Sequence, residues 1–273
     1  MLTLSVDLHV HTTASDGSEE PKEVVRQAAL LGLRAVAITD HDTVRGVEEG
    51  LSFGTAYSVE VVPGVEINTD FNAREAHVLG YYVDFKNQAF LERLNSLANT
   101  RTIRIEKMVA RLQSIGLPIT MADVLREAGD GTLGRPHVAA SLVRLGIVAS
   151  ADEAFERFIG RNRPGYVPRS KFAPQEAVEL ILEAGGVPVL AHPGTVGDDR
   201  IIECLMEAGL KGLEVYHPDH DEKMVEHYLA IARSLELLVT GGSDYHGRGY
   251  HACLGGVTVP YSVVKALQQA RQV

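Results

Sequence analysis

The sequence predicts an α/β protein with a largely parallel sheet, interrupted by a helical insert. Three observations carry this. Short apolar, β-branched runs alternate with longer helix-patterned segments, as βα units require. The alternation stops between about residues 86 and 164, where helical patterns follow one another with no strand between them. Strand-like runs resume beyond the loop IGRNRPGYVP at 159–168.

In chain order the predicted strands cover 4–8, 35–39, 60–67, 78–83, 187–191, 213–216, 237–240 and 255–259. Helices are predicted between them at 21–31, 44–53, 174–184, 199–208, 223–234 and 262–270. Pro21 and Pro174 stand where a first helical turn tolerates a missing N–H, and Gly32 and Gly185 where a helix ends. The insert reads as helices at 88–115, 121–128, 135–145 and 151–158. The expected organisation is a scaffold of residues 1–87 and 165–273 around a helical insertion domain, 88–164.

Composition narrows the function classes. With 273 residues, 45% hydrophobic and 23% charged, the chain has material for a real core, and general disorder is excluded. A formal charge of −10 argues against a binder of duplex DNA or acidic membranes that works by bulk attraction. It leaves room for an anionic substrate if metal ions reverse the local sign. Two cysteines, Cys204 and Cys253, are too few for a disulfide scaffold or a cysteine-rich zinc site. No apolar run approaches the roughly 20 residues that span a bilayer, and residues 1–8 lack a leader pattern. The expectation is a soluble, cytoplasmic protein, its oligomeric state left open.

The informative excess is histidine, 11 residues, several beside aspartate. His9 and His11 are two apart at the end of the first strand, so they share a face while Leu8 and Val10 pack behind them. One such pair arises by chance about 0.4 times in a chain of this histidine content. Repetition at other strand ends changes the odds. Asp16 follows in the next loop, His41 closes the second strand and Glu66 the third. His77 opens the fourth, and His192, Asp244 and His246 follow later strands. In parallel βα architectures ligands gather at the C-terminal strand edge. Imidazole and carboxylate suit Zn²⁺, Mn²⁺ or Fe²⁺. Nine groups are too many for one ion and natural for two or three.

These residues resemble the PHP (polymerase and histidinol phosphatase) superfamily. The motifs are Asp7-Leu8-His9-Val10-His11-Thr12, Asp16-Gly17, Thr39-Asp40-His41-Asp42, Pro63-Gly64-Val65-Glu66, His77, Ala191-His192-Pro193 and Ser243-Asp244-Tyr245-His246. The resemblance implies a distorted (β/α)7 barrel of the PHP type, with the helical insertion domain, and a trinuclear site of two or three divalent ions, manganese first. It implies one ion on His9, His11, Glu66 and Asp244, a second on Glu66, His77 and His192, and a third on Asp16, His41 and His246. The run Gly134-Arg135-Pro136-His137 in the insert is similar to the nucleotide phosphoesterase branch. That branch includes 3′,5′-nucleotide bisphosphate phosphatases and a 5′→3′ oligoribonucleotide exonuclease.

The expected activity is hydrolysis of a phosphate monoester of a small nucleotide by metal-activated hydroxide. The alternatives are 5′→3′ trimming of a short oligoribonucleotide, a histidinol-phosphatase-like reaction, or a non-catalytic, metal-stabilised binding module. Glu66 and His192 are expected to be indispensable to turnover. Arg135 is the leading phosphate ligand, because a guanidinium takes phosphate oxygens in pairs. Lys171 is expected at a second phosphate, and His217 is expected to contact phosphate or to protonate the leaving oxygen. Arg161, Arg163 and Arg169 offer a basic rim for a longer chain. Plainer roles are expected elsewhere. His137 is structural, His220 and His227 lie on an exposed helix, and His251 and Arg248 lie in a loop. Asp7, Asp40 and Asp42 orient ligating imidazoles, and Gly241-Gly242 admits backbone close to the site.

Overall fold

A computed structural model describes residues 5–72, 74–168, 172–247 and 252–271. Strand β1 (Ser5–Val10) pairs in parallel with β2 (Ala35–Ile38), and β2 with β3 (Glu60–Phe71). The direction then reverses. β3 and β4 (Arg74–Tyr81) form a long antiparallel hairpin from Gly64↔Tyr81 to Phe71↔Arg74, and β4 lies antiparallel to β5 (Val187–Leu190). Parallel pairing returns through β6 (Gly212–Tyr216) and β7 (Leu238–Gly241). The two-residue β8 (Val259–Pro260) lies antiparallel on the outer side of β1. The sheet order is β7-β6-β5-β4-β3-β2-β1-β8, and a bridge between Val10 and Tyr245 brings the chain after β7 back onto β1. The result is a mixed, nearly closed barrel.

Helices α1 (Pro21–Leu30) and α2 (Arg45–Tyr57) follow the first two strands. The insert contains α3 (Gln88–Ser114), α4 (Met121–Ala128), α5 (Arg135–Arg144) and α6 (Ala151–Ala154), which runs into a π-helical turn at Phe155–Ile159. Then come α7 (Pro174–Glu183), the single turn α8 (Pro193–Val196), α9 (Arg200–Ala208), α10 (Glu222–Ser234) and α11 (Ser262–Ala270). Among the described residues no helix is long and apolar enough to cross a membrane.

Three apolar clusters hold these elements. One joins Val24, Ala28 and Val47 of the outer helices to Val36, Ile38, Val61 and Val65 of the sheet. A second lines the other sheet face with Val6, Leu8, Ala35, Ala37, Val62, Leu79 and Val189, closed by Val264 and Leu267 of α11. The third belongs to the insert: Ile105, Met108, Leu112, Val124, Val138, Leu142 and Ile159. Helix α3 serves two of them, because Phe90, Leu94 and Leu97 in its first half pack with the barrel. The insert is therefore fixed to the barrel by a continuous helix.

The α/β class with a helical insertion is what the structure shows. The largely parallel sheet is also what it shows, since only β4 and β8 run against the other six strands. One expectation needs correction. The strand expected at 255–259 shrinks to Val259–Pro260, since the Gly255-Gly256 pair sits in a turn.

Candidate metal centre

The nine acids and imidazoles meet at one end of the barrel. Strand β1 supplies His9 and His11, but by a less regular route than alternation. Its register with β2 shifts between Asp7 and Val10, and Leu8 and Val10 enter different apolar clusters. They do not pack together behind the histidine pair, as expected. Asp16 is delivered by the next loop, which Asp40 pins by accepting from the Thr12 backbone N–H and from the hydroxyls of Thr12 and Ser15. Asp7 does the same for the loop after β7, accepting from the N–H and hydroxyl of Ser243 and the N–H of Gly255. That loop passes so close to β1 that a Cβ on Gly242 would lie 2.3 Å from the His9 nitrogen. Only glycine fits there.

Three groups of ligand atoms form. His9 Nε2 lies 3.4 Å from Glu66 Oε2 and 3.3 Å from Asp244 Oδ1, and His11 Nε2 lies 3.3 and 3.1 Å from the same two oxygens. Asp16 faces His246 Nε2 at 3.4 Å, His41 Nε2 at 3.8 Å and His11 Nδ1 at 3.9 Å. Glu66 also meets His77 Nδ1 at 2.8 Å, His41 Nδ1 at 2.9 Å and His192 Nε2 at 3.1 Å. Glu66 is thus common to two groups, and His11 and His41 also take part in two.

The tautomers show what this cluster is built to hold. His9 Nδ1 meets the Glu214 carboxylate at 2.9 Å, and His246 Nδ1 meets the Asp244 carbonyl at 2.8 Å. Neither oxygen can donate, so both Nδ1 atoms carry the hydrogen. The Thr195 hydroxyl donates to the His192 carbonyl, so it accepts from His192 Nδ1 at 2.9 Å. In the neutral form of all three rings Nε2 is then the lone-pair nitrogen, and each faces a carboxylate oxygen. Lone pairs opposed to anions repel, so each contact calls for a proton or a metal cation between the two. Despite burial, the neighbouring carboxylates push His9 and His192 up. His9 Nε2, Glu66 Oε2, Asp16 Oδ1 and Asp244 Oδ1 are buried and lack hydrogen-bond partners, as metal-ligand atoms would. The side chains fit divalent metal ions.

Ionisation follows the same demand for positive charge. Burial would lower the His11 imidazole, but Asp244 and Glu66 outweigh it and push it up to about 10. Burial likewise opposes charge on Glu66, Asp16 and Asp244, yet neighbouring imidazoles hold all three well below the ordinary carboxylate range. His41 goes the other way, lowered to about 4 chiefly by burial. His192, Asp244 and Asp42 carry positive φ values of 26°, 52° and 51°. Strain of order 1–3 kcal/mol at each such residue clusters where geometry is imposed.

A cavity of about 130 Å³ adjoins the cluster on the insert side. Asp16, His41, His77 and His246 form one wall, and Arg101, Arg104, Arg135 and Phe155 the other. Arg135 stands at the start of α5, 2.7 Å from Glu75 Oε2 and 5.4 Å from the Phe155 ring centroid. Phe155 begins the π-helical turn, a distortion frequent at functional sites. Arg101 and Arg104, on α3, were missed by sequence reasoning. Arg101 bonds Asp42 and the Leu133 carbonyl, and Arg104 bonds the Val167 carbonyl. A second cavity, about 140 Å³, lies over Glu66, His77, His192, His217 and Asp244. His217 Nδ1 accepts from the Asp219 N–H, so its neutral ring carries hydrogen on Nε2, 3.4 Å from Asp244 Oδ2.

Other expectations are revised. Asp7 and Asp40 hold loops, and Asp42 acts one step removed, by holding Asn68, whose Nδ2 lies 3.1 Å from His41 Nδ1. The carboxylate that orients His9 is Glu214, fully buried in β6. His220 is buried ahead of α10 and not exposed on it, its ring used by the Val215 carbonyl and the Gly194 N–H. His137 accepts the Gly134 N–H at the head of α5, and His227 is exposed beside Asp199. Lys171, Arg169, Arg248 and His251 lie outside the described residues.

Comparison with known proteins agrees with this site. Residues 7–101 match the PHP domain family. The chain is 32% identical over 249 residues to the 5′-3′ exoribonuclease Rnm of Escherichia coli K12, spanning 88% of this chain and 84% of that one. It is 33% identical over 247 residues to the phosphoribosyl 1,2-cyclic phosphate 1,2-diphosphodiesterase of Eggerthella lenta, spanning 89% and 94%. It is 29% identical over 251 residues to the 3′,5′-nucleoside bisphosphate phosphatase of Chromobacterium violaceum, spanning 90% and 88%. A solved Bifidobacterium adolescentis structure, assigned to the metal-dependent phosphoesterases, superposes with a TM-score of 0.93 at 33% identity over 98% of this chain and 96% of that one. Fold and side-chain set together define the class: a metal-dependent phosphoesterase. The chain belongs to the PHP family.

Proposed function

We propose that the chain removes a phosphate from a small nucleotide carrying two, converting a nucleoside 3′,5′-bisphosphate to the 5′-monophosphate and inorganic phosphate. One observation carries this reading: the cavity over the metal-binding cluster and the arginine-walled cavity share His41 and His77. Two anionic groups of one small ligand can then sit side by side, one over the cluster and one against guanidinium. A ligand with a single phosphate would leave the arginine wall to the protein's own acids, Glu75 and Asp42.

His9, His11, Glu66 and Asp244 would hold one divalent ion, Glu66 with His77 and His192 a second, and Asp16 with His41 and His246 a third. Two or three ions are expected, manganese first, since the donor set is imidazole and carboxylate throughout. When bound, such ions supply charge neutralisation of phosphate and a water acidic enough to serve as nucleophile near neutral pH. The protein's own groups do the rest. Arg135 grips the phosphate that is not cleaved, with Lys171 as a further contact from the loop VPRSKFAP. His217, which lines the cavity over the cluster with its Nε2 beside Asp244 Oδ2, would protonate the leaving oxygen. The site works on a soluble small molecule in the cytoplasm and not on duplex DNA or a membrane, a reading supported by the charge of −10.

A second reading, exonucleolysis of a short 5′-phosphorylated RNA, is favoured by a cleft of about 350 Å³. This cleft leads from His77 and His192 past Arg74 and Arg161. The test compares kcat/KM for a nucleoside 3′,5′-bisphosphate, a 5′-phosphorylated trinucleotide and a cyclic phosphodiester, with manganese and after chelation. The bisphosphate is expected to lead, and chelation to abolish turnover. A trinucleotide preference would transfer the assignment to RNA trimming.

A further inference from the structure

We propose that Glu75 is an internal competitor for the arginine cavity: its carboxylate occupies Arg135 and Arg104 until an incoming anion displaces it. The ligand's identity rests on the proposed function; the competition itself does not.

Glu75 is the second residue of β4, opposite Asp70 at the end of the hairpin where β3 and β4 are joined, and two residues before His77. Its Oε2 lies 2.7 Å from Arg135 NH2 and its Oε1 3.5 Å from Arg104 NH2, inside the space that a phosphate would need. The guanidiniums have other supports. Arg104 donates to the Val167 carbonyl at 2.8 Å, and Arg135 is stacked beside Phe155. Exposure marks which partner can leave: the side chains of Arg104, Arg135 and Glu75 are 8%, 20% and 29% exposed. Glu75 also lines the larger cleft, so it has somewhere to go.

A group that must vacate before binding weakens every ligand of the cavity by the same factor. Substrate and product are both held more loosely, which favours release of a product that keeps its second phosphate.

The experiment measures binding of inorganic phosphate and of dimethyl phosphate to manganese-loaded protein by calorimetry. It uses the wild type, Glu75→Gln, Glu75→Ala, Arg135→Ala and the Glu75→Gln/Arg135→Ala double variant. Both Glu75 variants are expected to bind each anion roughly five- to tenfold tighter, the equivalent of one partly exposed ion pair. The gain is expected to shrink when Arg135 is absent, and KM for substrate to fall more than kcat changes. Unchanged or weaker binding in both Glu75 variants would overturn the proposal, since Glu75 would then be an anchor for the arginines. So would a clearly larger gain for phosphate than for dimethyl phosphate, which is the mark of fixed repulsion without displacement. Binding is read without turnover. Tighter binding in an enzyme inert toward nucleotides would sink the proposed function and leave the competitor standing, and the converse pattern would do the reverse.

Discussion

The Nδ1 of His9 lies 2.9 Å from Oε1 of Glu214, and the same carboxylate accepts the backbone N–H of His192 through Oε2 at 3.0 Å. Burial alone would raise the Glu214 carboxyl, yet the adjoining His9 imidazole draws it below its ordinary value. One buried acid therefore fixes the tautomer of one imidazole and the position of another, whose backbone is strained. Glu214→Gln puts an amide N–H where an acceptor is needed. Its affinity for divalent metal should fall about 10- to 100-fold while the circular dichroism spectrum holds. Metal titration of the purified variant measures this, and wild-type affinity would detach Glu214 from the site.

Glu66 faces five imidazoles, those of His9, His11, His41, His77 and His192, within 3.4 Å. Its removal should do more than the loss of a supporting group, with turnover falling by well over about 100-fold. His192→Ala should behave alike, because it takes away a lone-pair nitrogen aimed at Glu66. Both variants should stay folded, since the apolar clusters of the barrel do not include these side chains. Near-normal rates in either purified variant would count heavily against a metal-centred reaction.

The strand-end histidines and acids were legible because a motif at a strand terminus has one place to go once the barrel closes. Their supporting residues were harder to read. Glu214 was visible only as an acid inside an apolar strand, GLEVY, where burial without a partner would be costly. Asp7 and Asp40, inside the motifs, bind loop N–H and hydroxyl groups instead of ligating rings. Arg101 and Arg104 sit in the run NTRTIRIEK of α3, which is indistinguishable in sequence from an ordinary solvated helix face. The hairpin was hidden because NTDFNARE is polar and reads as a loop, although in the structure it carries both strands past the barrel rim.

Arg135 tests the division of labour between cluster and insert. Arg135→Ala should raise KM for a doubly phosphorylated nucleotide about 10- to 100-fold, the range of a charge-assisted pair, and leave kcat closer to wild type. A substrate with one phosphate should hardly notice the change. Steady-state kinetics on the matched pair of substrates decides it. An equal loss on both would place Arg135 at the reacting group.

Metal uptake should release protons. In the metal-free protein His11 is pushed up to about 10, with Glu66 and Asp244 favouring its charged form against burial. Its folded value lies above the unfolded one, so the stability it contributes is fully present below pH 6.5. That contribution is lost as pH rises through about 10. A ligating imidazole must give up the proton on its donor nitrogen, so cation and proton compete for the same place. Titration of manganese into chelator-stripped protein at about pH 8 should show a heat that depends on the ionisation enthalpy of the buffer, reporting roughly one proton or more released. The gain in Tm on adding manganese should also be larger above neutral pH than below it. A binding heat identical in all buffers would mean that His11 is already neutral when the cation arrives, and that the carboxylates around it are balanced by something else.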